Sequence, residues 1–216
     1  MFLPLYDWAL LPVKRTIDPT PIAHDARVTN SNFRYLRMSR VSQLCKPWRA
    51  AAVLGWDISS PVDVTLAPIG DVEISPNIPA SELQELASAT GLSQMWARHG
   101  SRIGVSDGKW MRLYDFKMES GWQSMFLPNG QGSIEWILGW TMELPVGMSL
   151  LIGPAGRNEA GALAEWGLLD AAMLQSMREA GTGFSVAIRP SSLTRIVRGQ
   201  TIARAWIVGP EFLSVN

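Results

Sequence analysis

The alternation of apolar and polar residues is strongest over residues 134–144, where every second side chain is apolar. A spacing of two places such side chains on one face of a strand. The sequence therefore predicts a core strand face formed by Ile134, Trp136, Leu138, Trp140, Met142 and Leu144. Glu135, Thr141 and Glu143 fall on the other face, which predicts that this strand is half-buried.

Further short apolar segments follow this strand and are separated by turn residues. A turn at Pro145-Val146-Gly147 is followed by an apolar run over residues 148–152, which predicts a short strand. Apolar and polar residues alternate again over residues 184–188, and residues 201–208 are predicted to form the last strand. Helix start and stop signals predict short helices over residues 48–54, 81–89 and 171–180, the last capped by Asp170. We therefore expect a mainly β domain over residues 33–216 with two or three short helices.

The first 32 residues differ in composition from the rest of the chain. They contain four prolines, which disfavour helices and central strands, together with many apolar side chains. This composition predicts an extended arm over residues 1–32 that packs on its own domain or on a neighbouring subunit. The apolar residues expected to make assembly contacts are Phe2, Leu5, Tyr6, Trp8 and Leu10.

Composition excludes several classes of function. Lys plus Arg equals Asp plus Glu at 19 each, and this zero net charge argues against a general nucleic-acid-binding protein. No apolar run reaches the roughly 18 residues of a membrane span, so we expect no membrane contact. The single cysteine and two distant histidines give no metal-ligand pattern, and we expect no metal or cofactor. Ten tryptophans suit either a β core or a protein interface.

Three short segments resemble, in the same order, a family of uncharacterised bacterial and phage proteins that carries only a domain-of-unknown-function label. They are residues 55–61, residues 132–136, and residues 145–147 followed by Leu150, Gly153, Pro154 and Asn158. This family has no established activity, so the resemblance implies a phage or bacterial origin and nothing about chemistry.

A second and more remote resemblance concerns about residues 132–208. Gly167-Leu168-Leu169-Asp170 is similar to the motif that carries the catalytic aspartate of the trimeric dUTPase and dCTP-deaminase superfamily, and residues 196–204 are similar to a strand of that superfamily. The resemblance implies a β-clip, or distorted jelly-roll-like, fold and a homotrimer. The catalytic motifs are degraded: Pro154 and Ala155 replace the phosphate-binding Arg and Ser, and Met173 replaces the base-stacking Tyr.

Few residues are candidates for chemistry. Asp170 is the strongest catalytic candidate, as a base for water, but an aspartate at this position also serves as a helix N-cap. Arg157 and Asn158 follow a Gly-Pro turn and are candidates for anion binding, although such loops are more often simple turns. Arg198 is a further candidate that would replace a missing phosphate ligand.

These observations favour a non-enzymatic structural protein, a phage virion component such as a capsid decoration or tail-associated protein. It would act through contacts with its own copies and other virion proteins, in the virion or in the cytoplasm of a bacterial host. Two alternatives remain open. One is a divergent dUTPase-like or deaminase-like nucleotide enzyme that uses Asp170, and the other is a small-ligand or carbohydrate-binding β domain that uses exposed tryptophans.

Overall fold

The computed structural model of the protein describes residues 1–18, 20–36, 45–98, 100–155 and 161–212. Within these ranges the fold is mainly β, built from short antiparallel sheets with four α-helices. The mainly β class predicted from the sequence is therefore confirmed, and the helices number four where two or three were expected.

The secondary-structure elements are named in chain order. The helices are α1 (Thr20–Asn32), α2 (Lys46–Ala52), α3 (Ala80–Thr90) and α4 (Ala171–Glu179). The first nine strands are β1 (Phe2–Pro4), β2 (Val13–Lys14), β3 (Trp56–Ser59), β4 (Val64–Leu66), β5 (Asp71–Ile74), β6 (Gln94–Arg98), β7 (Ser101–Val105), β8 (Asp115–Met118) and β9 (Gly121–Ser124). The remaining strands are β10 (Phe126–Gly130), β11 (Ser133–Ile137), β12 (Trp140–Met142), β13 (Ser149–Gly153), β14 (Ala162–Ala164), β15 (Gly167–Asp170), β16 (Ser185–Pro190), β17 (Thr194–Ile196) and β18 (Thr201–Val208).

Two sheets contribute most of the core. One has the strand order β15-β13-β18-β3-β2 and the other has the order β10-β11-β16-β14. Their inward residues belong to a single buried cluster, which includes Leu150 and Ala205 from the first sheet and Trp136 and Val186 from the second. Smaller sheets, β5-β7-β6 and the pairs β4–β17, β8–β9 and β1–β12, surround these two.

The strand predicted over residues 134–144 is broken in the middle. β11 ends at Ile137 and β12 begins at Trp140, because Gly139 adopts a φ of 71°, a left-handed conformation that interrupts an extended strand. The predicted core residues up to Met142 are buried, whereas Leu144 is only partly buried. The expectation of a half-buried strand holds only in part, since Glu135 is half-buried and Glu143 is exposed, whereas Thr141 on the same predicted polar face is 1% exposed.

The expectation of an extended arm over residues 1–32 holds only for its first part. β1 pairs with β12, with Phe2 opposite Met142, and the Leu5 amide donates a hydrogen bond to the Gly139 carbonyl. Residues 20–32, in contrast, form helix α1. Pro21 lies in the first turn of that helix, where a missing amide hydrogen costs no intrahelical bond, so proline density did not prevent the helix.

Three of the residues predicted to make assembly contacts, Phe2, Tyr6 and Trp8, make ring contacts within this chain. The rings of Tyr6 and Trp8 stack at 5.3 Å between centroids and both meet Phe116 edge-on. Phe2 packs against the buried cluster, and Leu5 and Leu10 are half-buried. The first nine residues therefore pack on the domain that was expected to begin at residue 33, which is one of the two alternatives that the sequence left open.

The other helix predictions are largely confirmed. α2, α3 and α4 lie within two residues of their predicted bounds, and Gly91 ends α3 in a left-handed conformation. Residues 33–36 form neither a helix nor a strand.

Candidate functional site

Asp170 is the last residue of β15 and the N-cap of α4. Its Oδ1 atom accepts a hydrogen bond of 2.8 Å from the backbone amide of Met173. This bond satisfies one of the amides that a helix leaves without an intrahelical partner. The carboxylate is therefore engaged in stabilising α4, which is the structural role that the sequence offered as the alternative to catalysis.

Arg198 also makes structural contacts. Its Nη1 atom donates hydrogen bonds to the backbone carbonyls of Trp8, at 2.9 Å, and Pro61, and its backbone amide donates to Asp63 Oδ1 at 2.7 Å. These bonds connect the β17–β18 turn to the N-terminal segment and to the segment before β4. Arg157 and Asn158, the other predicted anion-binding residues, lie outside the described residues.

The outer face of the five-stranded sheet carries an apolar row that crosses three strands. The register places Trp206 of β18 opposite Leu151 of β13, and Leu151 opposite Leu168 of β15, so these three side chains share one face. Their neighbours on the other face, such as Leu150 and Ala205, are fully buried. Leu168 is 43% exposed, and Trp166, which precedes β15, is 67% exposed.

Two glycines allow the tryptophan rings to lie against the sheet. A Cβ atom on Gly153 would come within 2.3 Å of the Trp166 ring, and one on Gly55 would come within 2.7 Å of the Trp206 ring. The two indoles are nearly parallel, at 21°, with their centroids 6.0 Å apart. Backbone contact on one side of each ring restricts its rotation, so the pair is held in place without a ligand.

A groove of about 510 Å³ is formed next to these rings. The residues that line it include Leu54, Gly55, Leu151, Trp166 and Trp206, together with Lys14 and Trp56. The Lys14 Nζ atom lies 4.4 Å from the centroid of the Trp56 ring, and Lys14 forms no ion pair with a described residue. The register places Lys14 opposite Trp56, and Trp56 opposite the buried Ala205, so the Lys14 and Trp56 side chains lie on the sheet face away from Leu151 and Trp206.

A partly buried ion-pair cluster of Arg15, Asp57 and Arg204 lies beside the apolar row. Asp57 accepts a bond of 3.0 Å from Arg204 Nε and a bond of 2.9 Å from Arg15 Nε. Arg204 is 9% exposed, and its Nη2 atom has no hydrogen-bond partner among the described residues. Arg204 of β18 lies opposite Asp57 of β3 on one side and opposite Gly153 of β13 on the other. The ion pairs connect β18 and β3 with Arg15, which follows β2. Two arginines and one aspartate leave one net positive charge in the cluster.

Sequence reasoning missed this groove. Trp166 lies outside any alternating segment, and the alternation of residues 201–208 does not tell which face is covered. Adjacent Gly–Trp pairs give no signal, because Gly121-Trp122 and Gly139-Trp140 occur at an exposed and at a fully buried tryptophan. Among the described residues there is also no group of three or more His, Cys, Asp or Glu side chains that would hold a metal ion. No helix in the described ranges is long and apolar enough to cross a membrane.

Comparison with known proteins gives one remote likeness. No family model and no curated protein matches the chain, so the resemblance to an uncharacterised bacterial and phage family stays a hypothesis. The fold is similar to the solved structure of a mutant dUTPase from phage phi11 of S. aureus, described with a structural Mg(II) ion. The identity is 12%, the alignment covers 97% of this chain and 89% of the other, and the TM-score is 0.39. A likeness at this level carries no argument about function.

Proposed function

We propose that the protein is a non-enzymatic assembly protein that binds copies of itself through the free edge of its five-stranded sheet. The observation that supports this is β15, which pairs only with β13 among the described strands. Edge strands pair readily with other chains unless charge, proline or a bulge protects them. β15 has none of these before Asp170, and it presents Leu168, 43% exposed, next to Trp166, 67% exposed.

The proposal includes a homotrimer and a place in a phage virion, as a capsid decoration or tail-associated protein. A trimer requires β15 of each copy to contact a different surface of the next copy, because edge-to-edge pairing of two identical strands closes a dimer. The zero net charge supports self-association, because it removes the repulsion that keeps highly charged proteins apart. Exposed tryptophan supports a protein contact, since Trp is enriched at interfaces and dominates binding energy there. The residues with candidate chemistry, Asp170 and Arg198, have structural partners.

Sedimentation equilibrium at micromolar concentration tests the proposal. The wild-type protein is expected at about three times the mass of one chain. Leu168→Lys introduces a charge on the edge strand and is expected to shift the protein to the monomer. Leu113→Lys is the matched control, because Leu113 is 80% exposed in a 3₁₀ turn far from this edge in sequence, and it is expected to leave the mass unchanged.

A wild-type protein that is monomeric at every concentration tested would contradict self-assembly. An oligomer that persists in Leu168→Lys would show that another surface forms the contact.

The non-enzymatic part of the proposal has its own test. The purified protein is incubated with dUTP, dCTP and magnesium, and pyrophosphate and ammonia release are followed. No turnover is expected. Asp170→Asn is an informative variant, because asparagine caps a helix about as well as aspartate but cannot act as a base. Turnover in the wild type that disappears in Asp170→Asn would establish the nucleotide-enzyme alternative.

A further inference from the structure

We propose that β15 of one copy pairs in parallel with β2 of the next copy, which is the opposite edge of the same five-stranded sheet. Among the described strands β2 pairs only with β3, so it has one edge without a strand partner, as β15 does. Val13 of β2 is 63% exposed and Leu168 of β15 is 43% exposed. The inference rests on the proposed self-assembly and names the surface that β15 contacts.

The exposed apolar side chains of the two edges lie on the same face of the sheet. Through Asp57 of β3, Val13 is in register with Arg204 of β18. Arg204 is two residues from Trp206, whose side chain shares the outer face with that of Leu168. When a sheet continues from one copy into the next around an axis along its strands, outer face borders outer face. Val13 and Leu168 of neighbouring copies can therefore meet as a cross-strand pair.

The strand directions determine how the two edges pair. Each strand of the sheet is antiparallel to its neighbour, and β15 and β2 are the first and the fifth strands in the order. The two edge strands therefore run in the same direction, and continuation of the sheet joins them in parallel. Because the two edges differ, the contact is heterologous and closes a ring when it is repeated, as a trimer requires.

One parallel register matches the charged side chains as well as the apolar ones. With Val13 beside Leu168, the residues two positions further along the chains are Arg15 and Asp170, on the same face. Arg15 donates from Nε to Asp57, which holds its side chain on the outer face, and its terminal nitrogens bond to no described residue. Asp170 caps α4 with Oδ1, and its second oxygen bonds to no described residue. An Arg15–Asp170 ion pair between copies would use both free groups.

Charge also selects β15 over a second β2 as the partner of β2. β2 contains Lys14 and is followed by Arg15, so two β2 edges would bring four basic side chains together. Lysine on an edge strand discourages such pairing between identical edges. β15 contains no basic side chain and ends at Asp170, so it offers these cations an opposite charge.

Disulfide cross-linking tests the contact. All variants carry Cys45→Ser, because Cys45 is an exposed free thiol. Paired strands lie about 4.7–4.9 Å apart, which is within the separation that a disulfide spans. Val13→Cys and Leu168→Cys in one chain should therefore give a covalent three-chain species on mild oxidation, seen on a non-reducing gel. The two positions lie at opposite edges of the sheet, so they cannot form a disulfide within one chain.

Matched variants define the specificity of the cross-link. Val13→Cys alone and Leu168→Cys alone should give none, because each cysteine then meets a neighbour that has no cysteine at the contact. Leu113→Cys combined with Leu168→Cys is the control for random collision, since Leu113 is 80% exposed, and it should stay a single chain. Asp170→Asn, without added cysteines, keeps the helix cap and should weaken assembly about twofold to fivefold, as loss of an exposed ion pair does.

The outcomes separate this inference from the proposed self-assembly. A wild type that is monomeric at every concentration overturns both. A wild-type oligomer whose double-cysteine variant stays uncross-linked overturns the β15–β2 contact alone. Cross-linking of Leu168→Cys alone also overturns it, because two β15 edges would then be in contact. Unchanged assembly of Asp170→Asn overturns the register.

Circular dichroism and sedimentation of the reduced double-cysteine variant check that it folds and assembles as the wild type does. If it does not, Val13→Lys decides, because it places a further positive charge on the β2 edge at an exposed position. Val13→Lys should shift the protein to the monomer, as Leu168→Lys should, and an unchanged oligomer would overturn the inference.

Discussion

Replacing Phe2 with alanine tests whether the N-terminal segment belongs to the core of its own domain. The Phe2 ring meets Trp140 edge-on, with centroids 5.4 Å apart and an angle of 90°, and meets Trp56 at 5.6 Å and 73°. Because these partners lie in β12 and β3, the side chain connects two separate sheets. Its removal is therefore expected to weaken the packing between them and to lower the free energy of unfolding.

The magnitude follows from these contacts. Each edge-on aromatic pair contributes about 0.5–1.5 kcal/mol beyond the burial of its area. The two ring pairs and the partial burial of one phenylalanine together give an expected loss of about 2–4 kcal/mol in the free energy of unfolding. This loss is smaller than that for a fully buried phenylalanine, because Phe2 is only partly buried. In a domain of this size each kcal/mol lowers Tm by about 2–4 °C, so the expected shift is about 4–16 °C.

Urea unfolding followed by tryptophan fluorescence measures the change, with Tyr35→Ala as the control. Tyr35 is 84% exposed, and its truncation should alter the unfolding free energy by less than about 0.5 kcal/mol. If Phe2→Ala unfolds at the same urea concentration as this control but loses its oligomeric state, the reasoning is refuted. The segment would then be an arm that docks on another chain, as its composition first indicated.

Three other substitutions have definite expectations. Trp140→Ala should cost about 3–5 kcal/mol in urea unfolding, because the ring is fully buried, whereas Trp122→Ala at an exposed position should cost little. Asp170→Ala should cost about 1 kcal/mol through loss of the helix cap, measured as a lower Tm, and Asp170→Asn should retain most of that stability. Tyr6→Phe should lose about 0.5–1.5 kcal/mol, because the hydroxyl donates a bond of 2.7 Å to Gly181 O. Burial raises the pKa of the Tyr6 hydroxyl above its ordinary value of 10.0. As the pH rises above about 10, this tyrosine ionises first in the unfolded chain, so the folded wild type should lose stability. Tyr6→Phe should lack this loss.

Local signals in the sequence predicted the elements that local chemistry determines. Asp170 followed by a helical segment gave the start of α4, and Gly91 gave the end of α3. Both features depend on backbone groups within four residues, so the sequence alone contains the required information. The alternating segment over residues 134–142 likewise identified core residues, because burial of apolar side chains does not require knowledge of the strand partners.

Features that depend on distant residues were not predicted. The break at Gly139 is accompanied by the Trp8 ring, which would collide with a Cβ atom at that position, and by the hydrogen bond from the Leu5 amide. Nothing near residue 139 in the sequence indicates these contacts. The same holds for residues 1–14, whose proline content suggested an arm, while their aromatic side chains complete the core.

The tryptophans show why a binding face cannot be separated from a core face by periodicity. Trp136 and Trp206 both lie in strands with alternating neighbours, yet Trp136 is fully buried and Trp206 lines a groove. Pairing does not cause the difference, because β11 lies between β10 and β16 and β18 lies between β13 and β3. The difference is in what covers each ring: Trp136 packs against Phe126 in the buried cluster, whereas Trp206 shares its sheet face with Leu151 and Leu168 and lies beside the exposed Trp166. The glycines opposite the rings are the better signal, because a glycine that a tryptophan covers has to be glycine. The same contact also occurs against the core, where the Trp8 ring covers Gly139. A tryptophan–glycine pair therefore indicates a ring that lies on the backbone, and only the exposure of that ring separates a binding face from the core.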